Sequence, residues 1–230
     1  MKKSLLSGML LSGAALLLAG KSRNSKVRRR ELADQTARRY ITYAVLPAWA
    51  ISGFLDWLWH RQTNIETTSG TEESITHLLM VTEAGLPIML AMFLEINSGV
   101  LALMMGGWLL HQLTAYIDIA YTVSRRVIPP REQQTHLFMQ TIPFDILAIM
   151  ACLYPEQFKA LLGMGKEKRS FSLCFKRPGM SPVKGAAIYG SVGLAVFLPH
   201  LEELWRCWRA ERRGLKESDT PECARELYAS

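Results

Sequence analysis

Apolar blocks alternate with strongly charged ones along this chain, and the apolar blocks are too uniformly apolar to read as one-sided soluble helices. Residues 41–60, 77–97, 99–121 and 133–154 each reach the roughly 20 residues that a helix needs to cross a hydrocarbon layer. Pro87 predicts a kink in the second block, Asn97-Ser98-Gly99 a tight turn, and Pro129-Pro130 a loop before the fourth block, which carries Pro143 and Asp145 inside it. A fifth apolar stretch, 186–201, is shorter and weaker. The pattern predicts an all-α, polytopic helical membrane protein: a four-helix core with an N-terminal anchor and a weaker C-terminal span.

The chain divides accordingly. Residues 1–20 form an apolar anchor or signal-like segment with a positive start. Residues 21–39 are a basic cytoplasmic segment, and residues 40–155 are the transmembrane core. Residues 156–185 form a basic loop rich in Gly and Pro, with a short surface helix over 156–162. Residues 186–204 are the possible fifth span, and 205–230 a charged tail able to continue as an amphipathic helix through Trp205 and Trp208.

Composition sharpens this picture. The chain has 230 residues, is 49% hydrophobic and carries a formal net charge of +7. The basic residues sit mainly beside apolar segments, as in cytoplasmic flanks of membrane helices, which points to a multi-pass protein of a bacterial inner membrane with lipids as its surroundings. No basic stretch belongs to a recognisable nucleic-acid module, so nucleic acid is not an expected partner. The four cysteines form no C-x-x-C pair, which leaves no zinc-finger or redox motif.

The candidate chemistry lies between Asp56 and His136. Four of the five histidines in the chain occur there, each with an acid at helical spacing: Asp56/His60, Glu73/His77, His111/Asp118 and Glu132/His136. Residues i and i+4 project from one helix face. With the basic segment inside, alternating spans carry Asp56, His60, Glu73, His77, Asp118, Glu132 and His136 to one membrane depth, on the outer side. His111 is about 10 Å from Asp118 along its helix and falls in a deeper tier with Glu83 and Asp145. Ionisable groups within spans cost about 2.5–3.5 kcal/mol each, so a group of them at one depth must compensate one another. A divalent metal (iron, manganese or zinc) held by the first seven residues does so, as in the di-metal sites of helical bundles. Glu83 and His111 are the candidate catalytic proton carriers.

This yields a metal-dependent membrane oxidoreductase or hydrolase acting on a lipid or other apolar substrate. The alternative is a non-catalytic membrane protein in which Arg61, Arg125, Arg126 and Arg131 satisfy the acids as salt bridges. A proton or cation path through Glu83, Glu95 and Asp145 ranks below both, because no inverted repeat or pair of broken helices accompanies it.

Residues 40–155 resemble a group of bacterial integral membrane proteins of unknown function, through Asp56-Trp57-x-x-His60-Arg61, Ile65-Glu66-x-Thr68-x-Gly70, Glu73-Ser74-x-x-His77 and Glu132-Gln133-x-x-His136. That resemblance implies a helical membrane protein and carries no activity with it. The acid/histidine set is loosely similar to membrane di-iron hydroxylases and desaturases, although their H-x-x-H-H clusters do not occur here.

Overall fold

A computed structural model of the chain describes residue 25 and residues 27–177, 179 and 181–216. The anchor expected over 1–20 and the end of the tail, 217–230, lie outside the described residues. The described residues fall into two units, and residues 27–39 of the first are helical, with an ion pair between Arg38 and Asp34 at 3.2 Å.

In the second unit, a π-helical turn (Ile41–Val45) leads into α1 (Leu46–Gln62), followed by α2 (Thr71–Phe93), α3 (Ser98–Thr122) and α4 (Pro130–Leu153). The short α5 (Pro155–Leu161) and an extended loop come next. Then α6 (Pro182–Val192), a π-helical turn (Gly193–Phe197) and α7 (Leu198–Arg212) form one long rod. Among the described residues, five helical stretches are long and apolar enough to cross a membrane: Val27–Gln62, Thr71–Phe93, Ser98–Thr122, Pro130–Leu153 and Pro182–Arg212. The protein is a multi-pass helical membrane protein.

The fifth apolar segment is longer than the sequence pattern suggests. It runs through His200 and Glu203 to Arg212 without a break, so the first part of the expected tail belongs to a spanning helix. Its approach to α1 depends on Gly53, where an added Cβ would meet the Val196 Cγ1 at 2.9 Å. Gly53 lies three residues before Asp56 and Val196 four before His200, so this contact sets Asp56 and His200 side by side.

At the other end of the bundle, the loop after α5 is tied to the α2–α3 junction rather than hanging free. Backbone bonds run from Glu95 to Cys174 (2.8 Å), from Lys176 to Phe93 (2.9 Å) and from Gly99 to Ser170 (2.8 Å). The buried Lys176 also donates from its ammonium to the Ala91 carbonyl at 3.0 Å, satisfying a terminal acceptor of α2. Gly99 is required there, since a Cβ would meet the Phe171 Cα at 2.8 Å. Asn97 caps α3 by accepting from the Val100 amide at 3.0 Å.

Candidate metal centre

The polar ends of the five rods meet at the end of the bundle away from that loop. α1 brings Asp56 and His60, α2 brings Glu73 and His77, α3 brings Asp118, α4 brings Glu132 and His136, and α7 brings His200 and Glu203. Arg126 enters from the α3–α4 connection. All of these are buried except His136, whose side chain keeps 22% exposure.

Glu203 organises two of the rings. Its carboxylate lies 2.8 Å from His60 Nδ1 and 3.1 Å from His77 Nδ1. A carboxylate accepts only, so both rings carry their proton on Nδ1 and turn Nε2 inward. The two rings stack face to face, with centroids 4.5 Å apart and planes 7° from parallel. His200 is fixed the same way, donating from Nδ1 to the Val196 carbonyl at 2.7 Å and presenting Nε2 to Asp56 Oδ2 at 3.6 Å.

The inward nitrogens face acids without bonding to them. His60 Nε2 stands 3.2 Å from Glu132 Oε1 and 3.8 Å from Asp56 Oδ1. His77 Nε2 stands 3.6 Å from Asp118 Oδ1 and 3.7 Å from Glu73 Oε1. His136 Nε2 is 2.8 Å from Asp56 Oδ1, yet the alignment is not that of a hydrogen bond. The Nε2 atoms of His60, His77 and His136 and Oδ1 of Asp56 are all buried without a hydrogen-bond partner. Nitrogen and oxygen ligands about 2.1 Å from one ion stand roughly 3–3.5 Å apart, and the inward nitrogens and acids here are 2.8–3.8 Å apart. Among the described residues, three triads could hold an ion: His60/His77/His136, His60/Glu73/Glu132 and Glu73/His77/Asp118, each with its ligand atoms within 4.8 Å of one another.

Arg126 is the fixed counter-charge. It grips Glu73 through Nε at 3.0 Å and Nη2 at 2.5 Å and also donates to Glu132. Burial works against its charge, but Glu73 and then Glu132 outweigh that and hold its pKa above the ordinary arginine value. Thr76 donates to Asp118, which leaves that carboxylate oriented toward His77.

All seven residues expected to share one tier do meet: Asp56, His60, Glu73, His77, Asp118, Glu132 and His136. The pairing differs from the helical spacing in one case. Glu132 turns to His60 and Arg126, while His136 turns across to Asp56. The rotation of α4 against α1 and the connection sets this, and no spacing within α4 encodes it.

The deeper tier is smaller than expected. Thr114 donates to Glu83 Oε1 at 2.8 Å, and His111 Nδ1 lies 3.7 Å from Glu83 Oε2. Asp145 is exposed on α4 and does not join them. His111 lines a cavity of about 60 Å³ together with His77, Asp118, His136 and His200, so His111 borders the candidate ligand cluster while Glu83 stands behind it.

Sequence reasoning did not include His200 or Glu203 in the site, and it counted Arg126 only among four possible ion-pair partners. The i,i+3 pair His200/Glu203 beside an apolar run was the available signal. Comparison with protein-family models, curated proteins and solved structures gave no match.

Proposed function

We propose that the chain is a membrane metalloenzyme, with a centre for divalent ions built from His60, His77, His136, Asp56, Glu73, Asp118 and Glu132. The observation that carries this reading is the convergence on carboxylates of three buried Nε2 atoms that make no hydrogen bond, two of them aimed by one carboxylate bound at the opposite ring nitrogens. Metal-binding histidines are ordinarily oriented by a carboxylate or carbonyl at the other ring nitrogen, and Glu203 supplies that carboxylate for His60 and His77.

Charge supports the same reading. With neutral imidazoles, the five buried carboxylates of Asp56, Glu73, Asp118, Glu132 and Glu203 are offset by the one guanidinium of Arg126, paired with Glu73 and Glu132, which leaves four negative charges in a buried volume. Two divalent ions cancel them. Nitrogen and oxygen donors without thiolate suit iron, manganese or zinc. Such an ion would supply activation of dioxygen or of a bound water, the chemistry of an oxidoreductase or a hydrolase. Around it, Glu203 holds two rings in register, Arg126 holds Glu73 and Glu132, and His111 at the cavity wall, with Glu83 behind it, is placed to move a proton. An inner membrane is the location that the charge distribution of the sequence favours.

A second reading has a specific observation behind it. Arg126 already satisfies part of Glu73 and Glu132, so protonated histidines could complete a salt-bridge network without metal. Against this stands the stacked pair. Two imidazolium rings 4.5 Å apart repel by about 4 kcal/mol at an effective dielectric of about 20. Metal analysis of protein purified in detergent separates the two. The metalloenzyme reading expects near-stoichiometric iron, manganese or zinc, lost in a His77→Ala/His136→Ala double variant. Metal-free wild-type protein that also fails to take up these ions on reconstitution rejects it.

A further inference from the structure

A second hollow, about 580 Å³ and almost wholly apolar, lies beside the cavity of the metal centre. The two hollows share Trp49 and Val81 as walls. Its rim residues Leu86, Met89, Leu110 and Phe197 are each 41–52% exposed, so the hollow is a groove that opens sideways. Leu86 is nine residues beyond His77 on α2, which places the groove about 14 Å deeper along that helix than the ligand cluster. Groove residues on α3 and on the Gly193–Phe197 turn are likewise mid-span. At that depth the opening faces hydrocarbon, and only an apolar chain is soluble there.

The other end of the molecule fixes how such a chain would stand. Arg61 stacks on Trp57 at 5.1 Å, Arg131 on Trp59 at 4.7 Å, Arg209 on Trp205 at 4.7 Å and Arg212 on Trp208 at 4.9 Å. These pairs sit at the helix ends that carry the ligand cluster, and aromatic and cationic residues of this kind mark the membrane–water interface. A phospholipid with its headgroup at that interface reaches the groove with its acyl chain and passes the ligand cluster with the segment between.

We propose that the groove holds one acyl chain of a bilayer phospholipid and delivers it, past Trp49 and Val81, to the cavity beside the metal centre. That the lipid is the substrate rests on the metalloenzyme reading; that its chain occupies the groove does not.

Phosphatidylcholine vesicles containing a share of lipid with a photoactivatable diazirine on the acyl chain provide the test. After reconstitution and illumination, adducts are mapped by peptide mass spectrometry. The expected result is a several-fold excess of adducts within 81–89 and 192–197 over the lipid-facing Leu113 and Ile117 of α3. In Gly193→Trp that excess falls to the background level. Nothing lies within 4 Å of a Cβ at Gly193, so the new side chain can grow into the groove. Gly193→Leu is the second plug if the tryptophan variant fails to fold. Even labelling over all lipid-facing positions, or an excess that persists in a folded plugged variant, overturns the proposal. Metal content read on the same samples keeps the two ideas apart. Gly193→Trp retains the wild-type metal content, whereas His77→Ala/His136→Ala loses metal and keeps the groove adducts.

Discussion

Glu203 Oε2 stands 2.8 Å from His60 Nδ1, across 143 positions of sequence. The same carboxylate reaches His77, so one residue of the last helix holds the rings of the first two in a common tautomer. A glutamine there can accept from one ring but must offer its amide N–H to the other. Glu203→Gln is therefore expected to weaken metal binding by about 10- to 100-fold while leaving the helices formed. Competition against a chromogenic chelator, with circular dichroism as the control for folding, measures this. Unaltered affinity would show that Glu203 does not orient the ligands.

Arg126 balances Glu73 and Glu132, and removing it leaves buried carboxylates without their cation. Arg126→Met should cost about 3–5 kcal/mol in the metal-free protein. Bound divalent ions supply positive charge to the same acids, so the loss shrinks when metal is present. Thermal unfolding in detergent, with and without chelator, reports the difference. Equal losses in both conditions contradict a shared electrostatic role for Arg126 and metal.

His111 lines the cavity and Glu83 lies 3.7 Å from its Nδ1, but neither contributes to the candidate ligand triads. Glu83→Gln and His111→Ala are expected to keep the wild-type metal stoichiometry in elemental analysis. Loss of metal from His111→Ala would instead make His111 a ligand.

The rods α1 to α4 and α6–α7 run in alternation, with the ligand cluster at one end and the tethered loop after α5 at the other. Reporter fusions at residues 128 and 165 should therefore come out on opposite sides of the membrane. The sign at residue 128 gives the face on which the cluster lies. Both reporters on one side would contradict the crossing of α4.

The sequence by itself determined the class of fold and the tier. Lengths of apolar runs fix which segments span, and alternation of direction then fixes which ends share a depth. Seven acids and histidines could be placed at one level because i and i+4 share a face and each span contributes from a known end. The same logic separated His111 from Asp118 by counting turns. What the sequence did not carry is rotation. A helix pattern says that two residues share a face, but not which neighbour that face meets. Only the packing of α4 against α1 sent Glu132 to His60 and His136 to Asp56. Arg126 lies in a connection with no periodicity to read, and its burial follows from the acids that surround it. His200 and Glu203 sit in the half of the last span that looks least like a membrane helix. Its hydropathy is low because it carries Glu202, Glu203, Arg206, Arg209, Glu211 and Arg212, of which Glu203 is buried in the site. Tertiary structure decided that the fifth helix belongs to the site, through the close approach that Gly53 allows to Val196.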